Sequence, residues 1–338
     1  MDQYTILGRI GEGAHGIVFK ARHIETGKTV ALKKIQLKKI EDGIPNTALR
    51  EIKALQQIED HENVISLREL FPHGMGFVLA FDFMPSDLTT LIRDTQHPLM
   101  ESQAKSYMIM ILKGVGYMHN HGIMHRDLKP ANLLVSYTGL LKIADFGLAR
   151  VFSNDSDRNY SHQVATRWYR APELLYGARK YDEGVDLWAI GCIFGELLNI
   201  SPLFPGDNDI EQLCCVLRVF GTPNEDVWPG VTELPDYNKI SFQEQVPIPL
   251  QEVVPNATPA AVLLLQSFLR YPSKQRISAE QALMHFYFFT EPLPAHRSEL
   301  PRVRHDRNLP NLLDHNSDFG IDRPLADTLV KPTSLPIK

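Results

Sequence analysis

Cysteine is scarce in this chain: three residues, Cys192, Cys214 and Cys215, in 338. That is too few for a disulfide framework, and no C-x-x-C pair offers a metal site, so buried reduced thiols are expected. A basic excess is also missing. The 35 Lys and Arg stand against 40 Asp and Glu, a formal charge of −5, which leaves no bulk electrostatic footprint for nucleic acid or a membrane surface. No apolar run approaches the ~18 residues that suggest a membrane span. The opening "MDQYTILG" lacks the basic and apolar parts of a signal peptide. A protein of the cell interior, in nucleus or cytoplasm, is expected, with no nucleic acid and no membrane as partner. No internal repeat of fixed period occurs.

What is there can build a sizeable core: 43% of the residues are hydrophobic, enough for two domains or lobes. Residues 4–35 alternate apolar and polar positions around glycine-bearing turns, in "YTILGRIG", "IVFKARH" and "TVALKKI", which predicts an antiparallel meander. "NTALREIKALQQI" follows at helical spacing, with Pro45 at its start, and "ISLREL" and "FVLAFDFM" read as two more strands. From about residue 86 the period becomes helical, in "DLTTLIRD", "SQAKSYMIMILKGVGYMHNHG", "DEGVDLWAIGCIFGELLN", "IEQLCCVLRVFG" and "PAAVLLLQSFLR". The chain is therefore a small β-rich half followed by a larger helical half. After about residue 290 the pattern fades into a segment rich in Pro, His and charge, expected to be flexible or pinned to the outside.

Three glycines, Gly11, Gly13 and Gly16, fit G-x-G-x-x-G in "GEGAHG". Alone, this spacing serves dinucleotide-binding turns as well as loops over ATP phosphates. In a dinucleotide site the third glycine opens a helix and an acidic residue follows about 20 positions on. Here "IVFKA" continues as a strand, and the basic Lys33 of "VALK" stands near that distance, which favours phosphates. Glu51 in the first helix, "HRDLKPAN" at 125–132, "DFG" at 145–147 and "APE" at 171–173 then follow in order. The set resembles the protein kinases over roughly residues 4–290. "PNTALRE" at 45–51 and "GTPNEDVWPG" at 221–230 narrow the resemblance to the cyclin-dependent kinase family.

The resemblance implies an α+β bilobal kinase fold: a small antiparallel N-lobe sheet with one key helix and a larger, mainly helical C-lobe. It divides the chain into an N-lobe and hinge at 1–84, a C-lobe at 85–290 with an activation segment at 145–173, and a tail at 291–338. It implies ATP and Mg²⁺ as cofactors. Asp127 would orient the substrate hydroxyl and accept its proton, and Lys129 would neutralise charge on the transferred group. Lys33, paired with Glu51, would meet the α- and β-phosphates, and Asp145 and Asn132 would bind Mg²⁺. Ile10, Val18, Ala31 and Leu134 would line the adenine slot, Phe81 would be the gatekeeper, and backbone groups of Asp82 and Met84 the hinge contacts. His125 and Phe146 are expected to pack, Glu173 and Arg276 to form a structural ion pair, and Asp186 to cap the catalytic loop.

The same resemblance implies an activator. A cyclin or cyclin-like partner would meet residues 45–51 and hold Glu51 against Lys33, the unpartnered chain being a monomer. Ser161 occupies the place of the family's activating threonine, with Arg50, Arg126 and Arg150 gathered around its phosphate. Arg170 in "WYRAPE" would shape a pocket for proline after the target Ser or Thr, although relatives that act on other cyclin-dependent kinases do without that proline. A role in cell-cycle control follows. Ala14 and His15 replace the Thr-Tyr pair that carries inhibitory phosphates in many relatives, so that brake is expected to be absent. The rival readings are a catalytically weak kinase-fold scaffold, which would have lost Lys33, Asp127 or Asp145, and a small-molecule phosphotransferase, which would lack "WYRAPE".

Overall fold

The computed structural model describes residues 1–13, 16–36, 45–58, 60–152 and 166–302. They fall into two compact units, one comprising residues 1–60 and 65–84 and the other 61–64 and 85–302.

The first unit is built on a five-stranded antiparallel sheet of β1 (Tyr4–Gly13), β2 (Gly16–His23), β3 (Thr29–Gln36), β4 (Leu67–His73) and β5 (Gly76–Asp82), in the order β1-β2-β3-β5-β4. The expected meander is present. β4 runs further than its sequence pattern suggests, through Pro72. It is an edge strand, where a residue without an N–H donor is tolerated. Side chains alternate across the sheet. One face carries Phe19, Ala21, Leu32, Val78 and Ala80, all fully buried, with Tyr4, Ile6, Val30 and Phe71 packed against them. Helix α1 (Asn46–Gln57) places Ala48, Glu51, Ile52 and Leu55 at helical spacing on its buried side. Pro45 occupies its N-cap, one position before the first helical residue.

The second unit is largely helical. A short strand β6 (Ser86–Asp87) leads to α2 (Leu88–Ile92), capped by the Asp87 carboxylate on the Thr90 amide. The long α3 (Glu101–Asn120) follows, then β7 (Ile123–Met124), β8 (Leu133–Val135), β9 (Leu141–Ile143) and β10 (Arg150–Val151). β6, β8 and β9 form one small sheet, and β7 pairs with β10. Beyond them come α4 (Pro172–Leu175), α5 (Gly184–Asn199), α6 (Asp209–Phe220), α7 (Leu250–Val253), α8 (Pro259–Phe268) and α9 (Ala279–Leu283). The core around α5 includes Trp188, Ile190, Ile193 and Phe194, all fully buried. Over 291–302 the tail is pinned rather than flexible: the Ala295 amide donates to Ser102 O, and Gln103 Nε2 on α3 donates to Glu299 O at 2.8 Å. The rest of the tail lies outside the described residues.

Candidate active site

In the first unit the sheet register aligns the expected nucleotide residues on the face opposite the buried cluster. Gly11 pairs with Val18 and Val18 with Lys33, while Lys20 pairs with Ala31 and Ala31 with Phe81. Residues two apart on a strand share a face, so Val18, Ala31, Lys33 and Phe81 lie together. Ile10 is 43% exposed, an apolar side chain left uncovered on β1. Lys33 Nζ lies 2.8 Å from each Glu51 carboxylate oxygen, with side-chain exposures of 12% and 3%. Glu51 reaches that position from the buried side of α1. Arg50 sits on the same helix, while Ala14 and His15 lie outside the described residues.

In the second unit the catalytic-loop residues converge. The fully buried strand β7 delivers the chain to His125, whose amide donates to Asp186 Oδ2 at 2.9 Å; the Arg126 amide donates to Asp186 Oδ1 at 2.8 Å. Asp127 N donates to His125 Nδ1, so Nδ1 is the acceptor and Nε2 carries the proton given to Ala144 O. Asp127 itself is held through both oxygens. Oδ1 accepts from Thr166 N and Oγ1 at 2.8 and 3.0 Å, and Oδ2 from Lys129 Nζ and Asn132 Nδ2 at 2.9 and 3.2 Å. Lys129 Nζ also donates to Thr166 Oγ1. Asn132 turns its amide nitrogen to Asp127 O, which leaves Oδ1 as its acceptor.

Ala144 ties the next motif to this loop, because its amide donates to Asn132 O and its carbonyl accepts from His125. Asp145 follows at φ 64°, ψ 73°, a left-handed conformation rare for a residue with a side chain. Arg126, at φ 67°, is a second such residue in the unit. Strain of this kind persists where the surroundings over-determine it. His125 and Phe146 meet edge to face at 5.2 Å, so both pack as expected. Leu134 is the partly exposed member of β8, between buried Leu133 and Val135.

The Arg126 guanidinium donates to Leu148 O and Tyr181 OH. Burial lowers its pKa, and the charge of Arg150 lowers it further. Two of the three arginines expected around Ser161 thus lie within electrostatic reach of each other, and Ser161 lies outside the described residues. Arg276 and Glu173 form the expected buried ion pair, bidentate at 2.6 and 2.7 Å. Arg170 Nη1 is 3.0 Å from Asp209 Oδ1.

A protein kinase domain model matches residues 4–288. Cyclin-dependent kinase 20 of Danio rerio is 70% identical over 334 residues, covering 98% of this chain and 97% of its own. The chain belongs to the cyclin-dependent kinase family of serine/threonine protein kinases. Cyclin-dependent kinase 20 of Homo sapiens is 64% identical over 343 residues, with 98% and 97% covered, so within the family the likeness is to cell cycle-related kinase. Among solved structures, a chain from the CAK complex of Chaetomium thermophilum bound to ATP-gamma-S matches at a TM-score of 0.83 and 35% identity, covering 89% of this chain and 96% of that one.

Two residues of the kinase's site escaped sequence reading. Thr166 makes three of the bonds around Asp127 and Lys129, and His119 Nε2 donates to Asp186 Oδ2 at 2.9 Å. Thr166 stands five residues before the "APE" motif and His119 six before "HRD". Neither carries a motif signal of its own, and only the fold places them.

Proposed function

We propose that this kinase transfers the terminal phosphoryl group of ATP, together with Mg²⁺, to serine or threonine hydroxyls of proteins. The observation that carries the reading is the clamp on Asp127. Phosphoryl transfer asks for an aligned acceptor and neutralised charge more than for covalent help. Thr166, Lys129 and Asn132 fix the orientation of the carboxylate that would receive the hydroxyl proton, one of their bonds giving way to the incoming hydroxyl. The Lys129 ammonium beside it would meet charge on the transferred group. Lys33, fixed by Glu51, would meet the α- and β-phosphates. From the first unit Ile10, Val18, Ala31 and Phe81 would take the adenine, with backbone groups of Asp82 and Met84 as its hydrogen-bond partners. A structural relative solved with ATP-gamma-S supports ATP as the donor.

The donor set fits Mg²⁺. Asp145 supplies a carboxylate and Asn132 an amide oxygen, hard ligands of the kind that cation takes while keeping waters and phosphate oxygens for its other positions. When bound, Mg²⁺ would neutralise phosphate charge. A cyclin-type activator at residues 45–51 is supported by the family and by a relative that belongs to a complex. The like charges of Arg126 and Arg150 favour an anion, and phosphorylated Ser161 would supply it. Arg170 would favour proline after the target residue, and the pathway served would be cell-cycle control.

Radiolabelled phosphate transfer from ATP to a Ser/Thr-Pro peptide library tests the central claim. Asp127→Asn is expected to lower kcat by about 10²–10⁴-fold with ADP binding retained. A wild-type rate in that variant would remove Asp127 from the chemistry.

A further inference from the structure

Arg68 is the extra residue of a β-bulge. β4 pairs Leu67 with Phe81 and then Glu69 with Ala80 on β5, so residue 68 is left out of the ladder. A bulge of this kind re-aims the side chain it carries. Here the guanidinium is turned to the end of β5, donating from Nε and Nη2 to Asp82 Oδ1 and Oδ2 at 3.1 and 2.7 Å. Asp82 has a strand partner on one side only, Val30 of β3, since the β4 ladder stops at Phe81. The Arg68 side chain supplies the link that the ladder lacks on the other side. One residue on, Lys20 Nζ lies 4.5 Å from the centre of the Phe83 ring. Arg68 Nη1 is also 4.0 Å from Asp60, in the segment after α1, and Asp60 accepts from Ser66 as well.

We propose that Arg68 is a positioning residue for nucleotide binding: by its two-pronged grip on the Asp82 side chain it fixes the backbone at 82–84 that meets adenine. The inference rests on the reading of those backbone groups as the adenine contacts. A planar fork on a carboxylate fixes direction as well as distance, which a lysine in the same place cannot do. Because both side chains are partly exposed, 47% and 39%, the effect is modest and sensitive to salt.

Calorimetric titration of the full chain with Mg·ADP tests this. Arg68→Ala is expected to weaken ADP binding about twofold to fivefold at low ionic strength, with Arg68→Lys between it and wild type. Adding Asp82→Asn to Arg68→Ala should cost little more, since each removes the same contact. Inorganic tripolyphosphate, which has no adenine, should bind wild type and Arg68→Ala alike, and kcat at saturating ATP should be unchanged. Equal ADP affinity in wild type, Arg68→Ala and Arg68→Lys overturns the inference, as does an equal loss for tripolyphosphate. A wild-type chain that binds no ADP overturns instead the reading of the site beneath it.

Discussion

At Asp186 three donors converge on one fully buried carboxylate: the amides of His125 and Arg126 and the ring of His119. Burial alone would raise its pKa, but the hydrogen bond and charge of His119 and the Arg126 amide outweigh that and hold it below the ordinary value. A carboxyl whose folded pKa lies below its unfolded one stabilises the fold above about pH 4 and loses that contribution as pH falls through the folded value. Asp186→Asn should therefore cost about 1–3 kcal/mol by leaving a buried donor without its acceptor, and its thermal midpoint should fall less steeply with acid than that of wild type. Matching slopes below pH 4 would place the acid sensitivity elsewhere. The same variant should lower kcat, because the amides that Asp186 holds are those of the two residues before Asp127. Asp186 was legible in the sequence through "DLWAIG", and Lys33, Glu51, Asp127 and Asn132 through their ordered motifs. His119 was not, since it meets Asp186 only by folding across 67 residues. Arg68 was not either, because a bulge shows in the pairing of two strands and not in the spacing of one.

The glycine-rich hairpin of β1 and β2 separates two demands that its sequence pattern presents as one. G-x-G-x-x-G suggests that every glycine lets the backbone approach phosphate. Gly16 answers instead to its own sheet: it sits at φ +131°, and a Cβ there would lie 2.2 Å from the Lys34 carbonyl oxygen on β3. At Gly11 the nearest atom to an added Cβ is 4.0 Å away, on Val18. Gly16→Ala is expected to destabilise the first unit by at least about 1–3 kcal/mol from backbone strain, read as a lower denaturation midpoint. Gly11→Ala should leave that midpoint within about 0.5 kcal/mol of wild type, so any loss of ADP affinity it shows belongs to the nucleotide. Two variants of equal stability would contradict this division. Element boundaries followed the same logic. Helices α3, α5, α6 and α8 fall within two residues of their apolar patterns, whereas β4 extends past its own because edge position, which makes Pro72 acceptable, is a property of the sheet.

Across the whole chain, the hydrophobic period separated the β-rich part from the helical part but said little about residues 291–302, where Pro and charge hide a docking strip. That strip is fixed to α3 by complementary polar groups rather than by a periodic apolar face. Ser106 Oγ donates to Ala295 O, buried Gln103 to Glu299 O, and fully buried Lys105 reaches Thr290 O at 2.8 Å with its ammonium 4.5 Å from the centre of the Tyr287 ring. Leu300 closes the strip at 3% exposure, and Arg297 bonds to Glu62 and Thr138. A chain ending at residue 302 keeps every one of these contacts. One ending at 290 exposes the Leu300 site, worth about 1.5–3 kcal/mol for a fully buried leucine, and leaves the Gln103 donor without its Glu299 acceptor at about 1–3 kcal/mol where it stays buried, while the Ser106 hydroxyl keeps Ser102 O. The expected outcome is that truncation after 302 leaves the unfolding midpoint of the second unit unchanged, while truncation after 290 lowers it by several degrees and speeds proteolysis near α3. Because Asp127 and its partners lie elsewhere in that unit, the shorter chain should keep its KM for ATP at temperatures where it stays folded. Loss of stability on truncation after 302, or none after 290, would show that the strip does not hold α3.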